Sequence, residues 1–599
     1  MNEIKTIKNL YPLLGRRKWG FLGIVLLGLL QSLSEGVGIG LLIPLLGGLV
    51  GGSQTQGRTQ WVVSKIGSLF QNVAPDRRLT VIVACVFAAV LANAVLSYLN
   101  TILFGWVNGN IGHNLRQRIF GQLLNVNFGY IERDHSGRLL NLLASDSWRV
   151  HDALVILVGL IVTTSTVTVY IALLFLMSWR MTLLVAAATL VISSIVRLLT
   201  RTAREVGKAV TKTNSELANR MVEGIDGMKV IRAFGREGYE QNRFDQASAR
   251  LRRIMLRLNF IDGVVHPVYE ILGALLVLVI LIFATPNPGD SSVLLVFAFV
   301  LYRIQPRVKE FDSSRVRLAS LSPSVDEVHS FLNTDDKQFA TSGRIAQLRL
   351  DGGIVFDDVS FKYTSADDAA LSDASFTIPA GKTTAFVGPS GGGKSTVMKL
   401  LLRFYDPTGG KIILDGLPLG EFNLEFWRSQ IAVVSQDVYL FNASVRENIA
   451  YGRLDATDDE IVEAARKADA HDFIERLPNK YETVLGHRGM RLSGGQQQRI
   501  SLARAIVRNP RILILDEATN ALDSISEEWI QETLNKLREN RTVIMIAHRL
   551  STIERADQII VLEKGRIQEC GKLPDLVKAG GLFARLYHLQ HRPSLVQNG

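Results

Sequence analysis

Cysteine is nearly absent: there are two in 599 residues, Cys85 inside an apolar run and Cys570 near the C-terminus. Neither has metal-ligand spacing, and a single pair makes no disulfide framework, so neither kind of staple is expected here. Charge is scarce as well. Asp, Glu, Lys and Arg supply only 21 % of the residues and are unevenly placed, and the mean hydropathy is positive, +0.18. A cleavable leader is not expected, because the first apolar stretch is too long and lacks a small-residue cleavage site. Missing too are the patterns of zinc fingers, RNA-recognition motifs and basic zippers. That absence matters, since the net charge of +11 and pI of about 9.5 would otherwise suggest nucleic acid. Many basic residues instead flank apolar runs: Arg16, Arg17 and Lys18, then Arg116, Arg118, Arg133 and Arg138, then Arg201, Arg204, Arg252 and Arg253. Cytoplasmic loops of membrane proteins collect Lys and Arg in this way, so nucleic acid is not an expected partner.

What is present is a first half of long apolar runs. A spanning helix needs roughly 20 mostly apolar residues. Six candidates lie near 20–50, 79–107, 152–178, 181–200, 260–284 and 291–308. Gln31, Ser32, Ser34 and Glu35 interrupt the first, which is read as one long helix because neither half reaches spanning length alone. Only Ser178-Trp179-Arg180 separates the third from the fourth. Two polar stretches, about 108–151 and 201–259, keep helical apolar spacing (Leu115, Ile119, Leu123 and Leu124; then Val222, Ile225, Val230 and Ile231). They are expected to be helical extensions into the cytoplasm, with both termini on that side. The expected division is a membrane domain over 1–332, a linker over 333–350 and a second domain over 351–599.

From Ile354 onward, short β-rich runs alternate with helical ones, for example Thr384–Val387, Ile412–Leu414, Ile431–Val434, Ile512–Leu515 and Thr542–Ile546. Such alternation predicts an α/β domain with a largely parallel central sheet. Gly388-Pro389-Ser390-Gly391-Gly392-Gly393-Lys394-Ser395-Thr396 follows the first of these strands and precedes a helical run. It matches the phosphate-binding loop G-x-x-x-x-G-K-[ST] in the required context. Glycines let backbone amides converge on phosphate oxygens, and a helix N-terminus adds a favourable dipole. Lys394 is expected on the β- and γ-phosphates and Ser395 on Mg²⁺. Gly388 to Gly392 also fits the nucleophile elbow G-x-S-x-G, but no placed Asp and His support that reading. Asp516-Glu517 closes an apolar strand, a position suited to holding Mg²⁺ and polarising a water.

Leu492-Ser493-Gly494-Gly495-Gln496 completes the set. With it the chain resembles ATP-binding cassette transporters over nearly its whole length. The resemblance implies that Ser493, Gly494, Gly495 and Gln496 clamp the γ-phosphate of ATP bound to an opposite subunit. It also implies that Tyr363 stacks on adenine, that Gln436 senses Mg²⁺, that Asp523 lies in the loop joining two cassettes, and that His548 contacts the γ-phosphate. Two departures stand out: Asn520 where the family often has Ser, and His487 where exporters usually have Glu.

A membrane domain fused ahead of one cassette resembles the exporter branch, as does Glu223-Gly224 followed by Lys229–Phe234. One cassette holds half of each composite site, so a dimer is implied, and intact motifs favour two identical copies. Ser34–Gly40 running on to Pro44, and Leu301–Pro306, are similar to bacterial lipid-linked oligosaccharide flippases. The implied activity is ATP-driven flipping of an amphipathic lipid or lipid-linked saccharide in a bacterial inner membrane. A drug or peptide exporter, and an ATP-gated or regulatory membrane protein, are the alternatives. Glu35, His266, Glu270 and Arg303 lie near or within spans, where a charge at a helix centre costs roughly 2.5–3.5 kcal/mol. Glu35, Glu270 and Arg303 are candidates for a polar cargo lining; structural pairing is the competing explanation, as is snorkelling for Arg303.

Overall fold

The computed structural model describes residues 2–10, 12, 18–41, 74–134, 136–283, 291–335, 337, 339, 341–364, 368–435, 437–486, 489, 492–516, 541–547 and 553–591. The chain divides into two units. The first comprises 1–125 and 134–337, the second 126–133 and 338–599.

The first unit is helical: α1 (Asn2–Leu10), α2 (Lys18–Gly40), α3 (Pro75–Asn125), α5 (Ser136–Asn141), α6 (Ser147–Met177), α7 (Trp179–Thr200), α8 (Ala203–Asp226), α9 (Met228–Ala233), α10 (Glu237–Gly263), α11 (Val265–Phe283) and α12 (Ser291–Leu332). The short helix α4 (Phe128–Arg133) falls to the second unit. Among the described residues, five helical stretches are long and apolar enough to cross a membrane. The expected sixth, 291–308, lies at the start of α12, where several side chains are outside the described residues. Large apolar side chains on α3 such as Phe87, Leu91, Val95 and Ile102 stay more than half exposed, as a lipid-facing surface requires.

The polar patch of the first span does not break it, because its hydroxyls find partners. Ser32 Oγ donates to Gly28 O and shares a 2.8 Å hydrogen bond with Thr166 Oγ1, while Ser34 Oγ donates to Ala89 O. Gly36 is a packing glycine, since a Cβ there would sit 2.8 Å from Val169 Cγ1, whereas among the described residues nothing lies within 4 Å of one on Gly40. The polar stretches are helical, as expected, but their burial differs from the expected pattern. Leu115 and Ile119 are buried, while Leu124, Ile225 and Val230 are 60 % exposed or more. On α8 the buried face is instead Val206, Val210, Thr213 and Leu217.

The second unit holds two sheets. Six strands run in the order β10-β9-β3-β8-β7-β6, with β3 (Thr383–Val387), β6 (Ile431–Val434), β7 (Ile512–Asp516), β8 (Thr542–Ile546) and β9 (Gln558–Glu563) parallel, and β10 (Arg566–Gly571) antiparallel at one edge. β3 and β8 are buried at every position, as strands covered on both faces must be. The Ile412–Leu414 run belongs elsewhere. It lies in β4 (Gly409–Leu414) of an antiparallel sheet, order β2-β1-β4-β5, with β1 (Ile354–Phe361), β2 (Leu371–Ile378) and β5 (Leu417–Pro418). Asp415 and Gly416 both have positive φ and join β4 to β5 in a two-residue turn, the primed geometry that Asp-Gly favours.

Candidate functional site

In an open parallel sheet, ligands sit beyond the carboxyl ends of the strands. β3 ends at Val387, β8 at Ile546 and β7 at Asp516, and β8 lies between the other two. The backbone amide of Ala547 donates to Phe386 O, tying the ends of β8 and β3 together. The phosphate-loop sequence therefore starts at the same sheet edge where Asp516 stands half-buried.

The loop turns sharply from β3 into α13 (Lys394–Leu401). Gly388, Gly391 and Gly393 take φ of +147°, +79° and +107°, a region costly for residues with a Cβ. Two of them are also crowded. A Cβ on Gly388 would sit 1.9 Å from Leu562 O, and one on Gly393 would sit 2.8 Å from Ala370 O. Lys394 is buried, and its Nζ donates to Gly388 O at 2.8 Å and Pro389 O at 3.0 Å, arching back over the loop. Ser395 and Thr396 open α13 behind it, and Ser390 lies exposed in the turn. Amides at a helix N-terminus beside a buried lysine fit a phosphate chain.

Tyr363 follows β1, and its hydroxyl shares a 3.2 Å hydrogen bond with Thr396 Oγ1. The structure thus brings an adenine-stacking candidate onto the loop helix. Two residues not foreseen from sequence join it. Lys399 Nζ lies 5.3 Å over the Tyr363 ring, and Tyr405 packs edge-on against Tyr363 at 5.4 Å. Both reach Glu132 on α4: Lys399 Nζ donates to Oε1 at 2.8 Å and Tyr405 Oη to Oε2 at 2.5 Å. Partial burial pushes the Glu132 carboxyl up, but these donors outweigh it and hold it below its ordinary value. Burial likewise works against the Lys399 charge, and the Glu132 carboxylate overrides it, raising the ammonium. Phe128 stacks on Phe404 at 4.7 Å, and Tyr405 fills the space left by Gly129, where a Cβ would approach to 2.6 Å. No local signal marks these partners, since they meet across 267 and more residues of sequence.

Ser493 is the N-cap of α14 (Gly494–Val507). Gln496 N donates to Ser493 Oγ and Ser493 N donates to Gln496 Oε1, a complete capping box. Ser493 and Gly494 are exposed and Gly495 half-exposed, so the helix end opens to solvent. This turn packs with one core cluster (Leu492, Ile500, Leu502) and α13 with another (Val397, Leu400, Leu401). Gln436, His487, Glu517, Asn520, Asp523 and His548 lie outside the described residues.

In the first unit, Arg303 Nη1 stands 3.7 Å from Glu35 Oε1, with Glu35 mostly buried and Arg303 half-exposed. Glu270 does not join them; it lies 3.3 Å from His266 one turn back on α11, and both are exposed.

Two family models match the chain. Residues 39–305 match the family model described as the ABC transporter transmembrane region, and residues 371–520 match the ABC transporter model. The chain is 36 % identical to the heterocyst differentiation ATP-binding protein HepA of Nostoc sp., over 95 % of this chain and 93 % of that protein. It is 33 % identical to the ATP-dependent lipid A-core flippase of Haemophilus ducreyi, over 98 % and 99 %. To the flippase of the same description in Chromobacterium violaceum it is 37 % identical, over 84 % and 86 %. A solved bacterial Atm1-family ABC exporter with ATP bound superposes with a TM-score of 0.80 at 26 % identity, covering 97 % of this chain and 99 % of that one. With helices able to span a membrane ahead of a phosphate-loop α/β unit, and relatives alike from end to end, this chain belongs to the ABC transporter family.

Proposed function

We propose that two copies of this chain couple ATP hydrolysis to outward flipping of an amphipathic lipid or lipid-linked saccharide. The observation that carries the ATP half is the glycine cradle at the end of β3, with Lys394 buried over it and α13 aimed at it. The cargo half rests on the flippases among its relatives. Tyr363 would stack on adenine, and Gly388, Ser390, Gly391, Gly393, Lys394 and Thr396 would wrap the phosphates. Ser395, Asp516 and Gln436 would hold Mg²⁺, which neutralises phosphate charge when bound. Glu517 would orient the attacking water and His548 would contact the γ-phosphate. Ser493, Gly494, Gly495 and Gln496 would complete the site of the partner. In the membrane unit, Glu35 and Arg303 are our pair for a polar cargo lining, with Glu270 as a further candidate. Both termini and the α/β unit belong in the cytoplasm, by the Lys and Arg bias.

The test uses the full chain in proteoliposomes. Glu517→Gln should retain ATP binding while turnover falls about 10²–10⁴-fold, the scale of a lost general base. Wild-type turnover in that variant would remove Glu517 from the mechanism. Across a panel of lipid-linked saccharides, phospholipids and drugs, ATP-dependent flipping of a lipid is expected. Movement of drugs with no lipid flipped would favour the drug-exporter reading.

A further inference from the structure

The first unit contains a basic cavity that neither the ATP site nor the Glu35–Arg303 pair uses. It has a volume of about 170 Å³ and lies between α1, the α7–α8 junction and α12. Arg197, Arg201, Arg204 and Arg315 line it, against one carboxylate among the described residues, Asp312. On the helical path from α7 into α8, the first three fall at i, i+4 and i+7, one above another on one face.

That carboxylate is already committed. Asp312 is buried and accepts hydrogen bonds from Tyr269 Oη at 2.5 Å and Arg315 Nη1 at 3.2 Å. Arg204 Nη2 donates to Asp326 Oδ2 at 2.9 Å, and Asp326 also accepts from Asn9 Nδ2 on α1. Arg204 Nε, however, is buried with no hydrogen-bond partner among the described residues, and an orphaned buried donor of a charged group is costly. Arg197 and Arg201 have no ion pair among the described residues. Three guanidinium groups thus converge on one hollow with donors to spare, and guanidinium matches phosphate oxygens through paired N–H groups.

The rest of the wall mixes hydroxyls, from Thr6, Thr200 and Ser322, with an apolar side of Val196, Val316, Leu318 and Ala319. The position matters equally. Arg197 and Arg201 stand where the apolar run of α7 ends, which is headgroup depth for a helix that has just crossed a bilayer. A soluble anion would gain nothing from the apolar side, whereas a lipid presents a phosphate and a hydrocarbon stem together. We propose that this cavity binds the phosphate group of an anionic membrane lipid. The proposal rests on the chain spanning a membrane, and is independent of which molecule is transported.

The test measures lipid binding to the full-length protein in detergent by native mass spectrometry. The probes are phosphatidylglycerol, diacylglycerol with the same tails but no phosphate, and inorganic phosphate as competitor. Wild type should prefer phosphatidylglycerol to diacylglycerol by about tenfold or more, the scale of lost charge-assisted hydrogen bonds. The double variant Arg197→Gln, Arg201→Gln should lose that preference, and Arg197→Lys, Arg201→Lys should recover only part of it. Both arginines are exposed and unpaired, so these variants should keep the wild-type melting temperature and basal ATPase; loss of binding with folding intact is the supporting result. A double variant that keeps the full preference would overturn the site. Displacement of the lipid by inorganic phosphate at about 1 mM, matching a weak free-anion site, would overturn the lipid as occupant. Neither result touches the ATPase reading, which the Glu517→Gln measurement decides separately.

Discussion

Gly388 and Gly391 ask for the same backbone freedom under different constraints. At Gly391 the φ of +79° is the whole difficulty, because nothing stands within 4 Å of where a Cβ would go. Alanine there should cost about 1–2 kcal/mol of left-handed strain, which weakens ATP binding by about 5- to 30-fold if it falls on the loop alone. At Gly388 the added Cβ also meets Leu562 O of β9 at 1.9 Å, so the loop or the strand must move. Gly388→Ala should therefore lose ATP affinity by about 100-fold or more. Titration of the two full-length variants with a fluorescent ATP analogue orders them; equal affinities would mean that close packing against β9 does not set the loop. Both glycines were legible in sequence because a phosphate loop is written in backbone permissiveness, which glycine spacing records directly. Lys399 was not, since its role depends on Tyr363 and Glu132 arriving from distant segments. Glu35 was legible as a charge in a span, but its proximity to Arg303 comes from helix packing.

At the scale of elements, burial pattern separates what the sequence revealed from what it hid. β3, β7 and β8 are covered on both faces, so they read as unbroken apolar runs. β1 and β2 carry aspartates and serines on an exposed face, and no apolar run announces them. The antiparallel sheet was hidden for that reason, although Asp415-Gly416 is a hairpin signal of its own. Asp415 does more than turn the chain. Its Oδ2 accepts from Arg349 N at 3.0 Å and Leu350 N at 2.7 Å, and Oδ1 from Gly352 N at 3.4 Å. Burial is the largest single influence and acts against the charge, but the amides of Leu350, Gly352, Arg349 and Asp351 together outweigh it and hold the carboxyl below its ordinary value. A lowered carboxyl contributes stability that is present at neutral pH and is lost as pH falls through the folded value. Asp415→Asn keeps the shape and weakens the acceptor. It should cost about 1 kcal/mol at neutral pH, below the usual range for hydrogen bonds to a charged group, because the site is open to water. That corresponds to about 2–4 °C in melting temperature for a unit of this size. The gap should persist down to mildly acidic pH and close only below about 3.9. A gap that closes near neutrality, or no gap, would show that the carboxylate does not hold this turn.

At the scale of the whole molecule, the single chain is unfinished. Ile225, Val230 and Phe234 lie exposed around α9 by 67 %, 60 % and 74 %. Within the α/β unit, the open helix ends of α13 and α14 belong to different core clusters. Both have the character of anion sites, and Ser493 already satisfies one amide of its own helix through its cap. A trans site, with the phosphate loop of one copy facing the Ser493 turn of the other, makes a prediction that a cis site inverts. Consider first a heterodimer of Ser493→Arg with Lys394→Ala, purified through two different tags. In trans, one site joins the intact loop of the first chain to the intact turn of the second, and the other site carries both lesions. ATPase activity should then exceed that of either parent homodimer. In cis, each chain carries one lesion in its own site, and the heterodimer should be as inactive as the parents. The second heterodimer pairs wild type with a chain bearing both substitutions. In trans, each site now receives one lesion, so activity should collapse. In cis, the wild-type chain keeps a whole site and works. Lysine removal and an arginine wedged at the helix end each abolish phosphate contacts, so the active heterodimer should stand well above background, at up to about half of wild type if the two sites turn over independently. Activity confined to the wild-type and doubly substituted pair would place Ser493 beside the phosphate loop of its own chain and remove the need for a partner at the catalytic site.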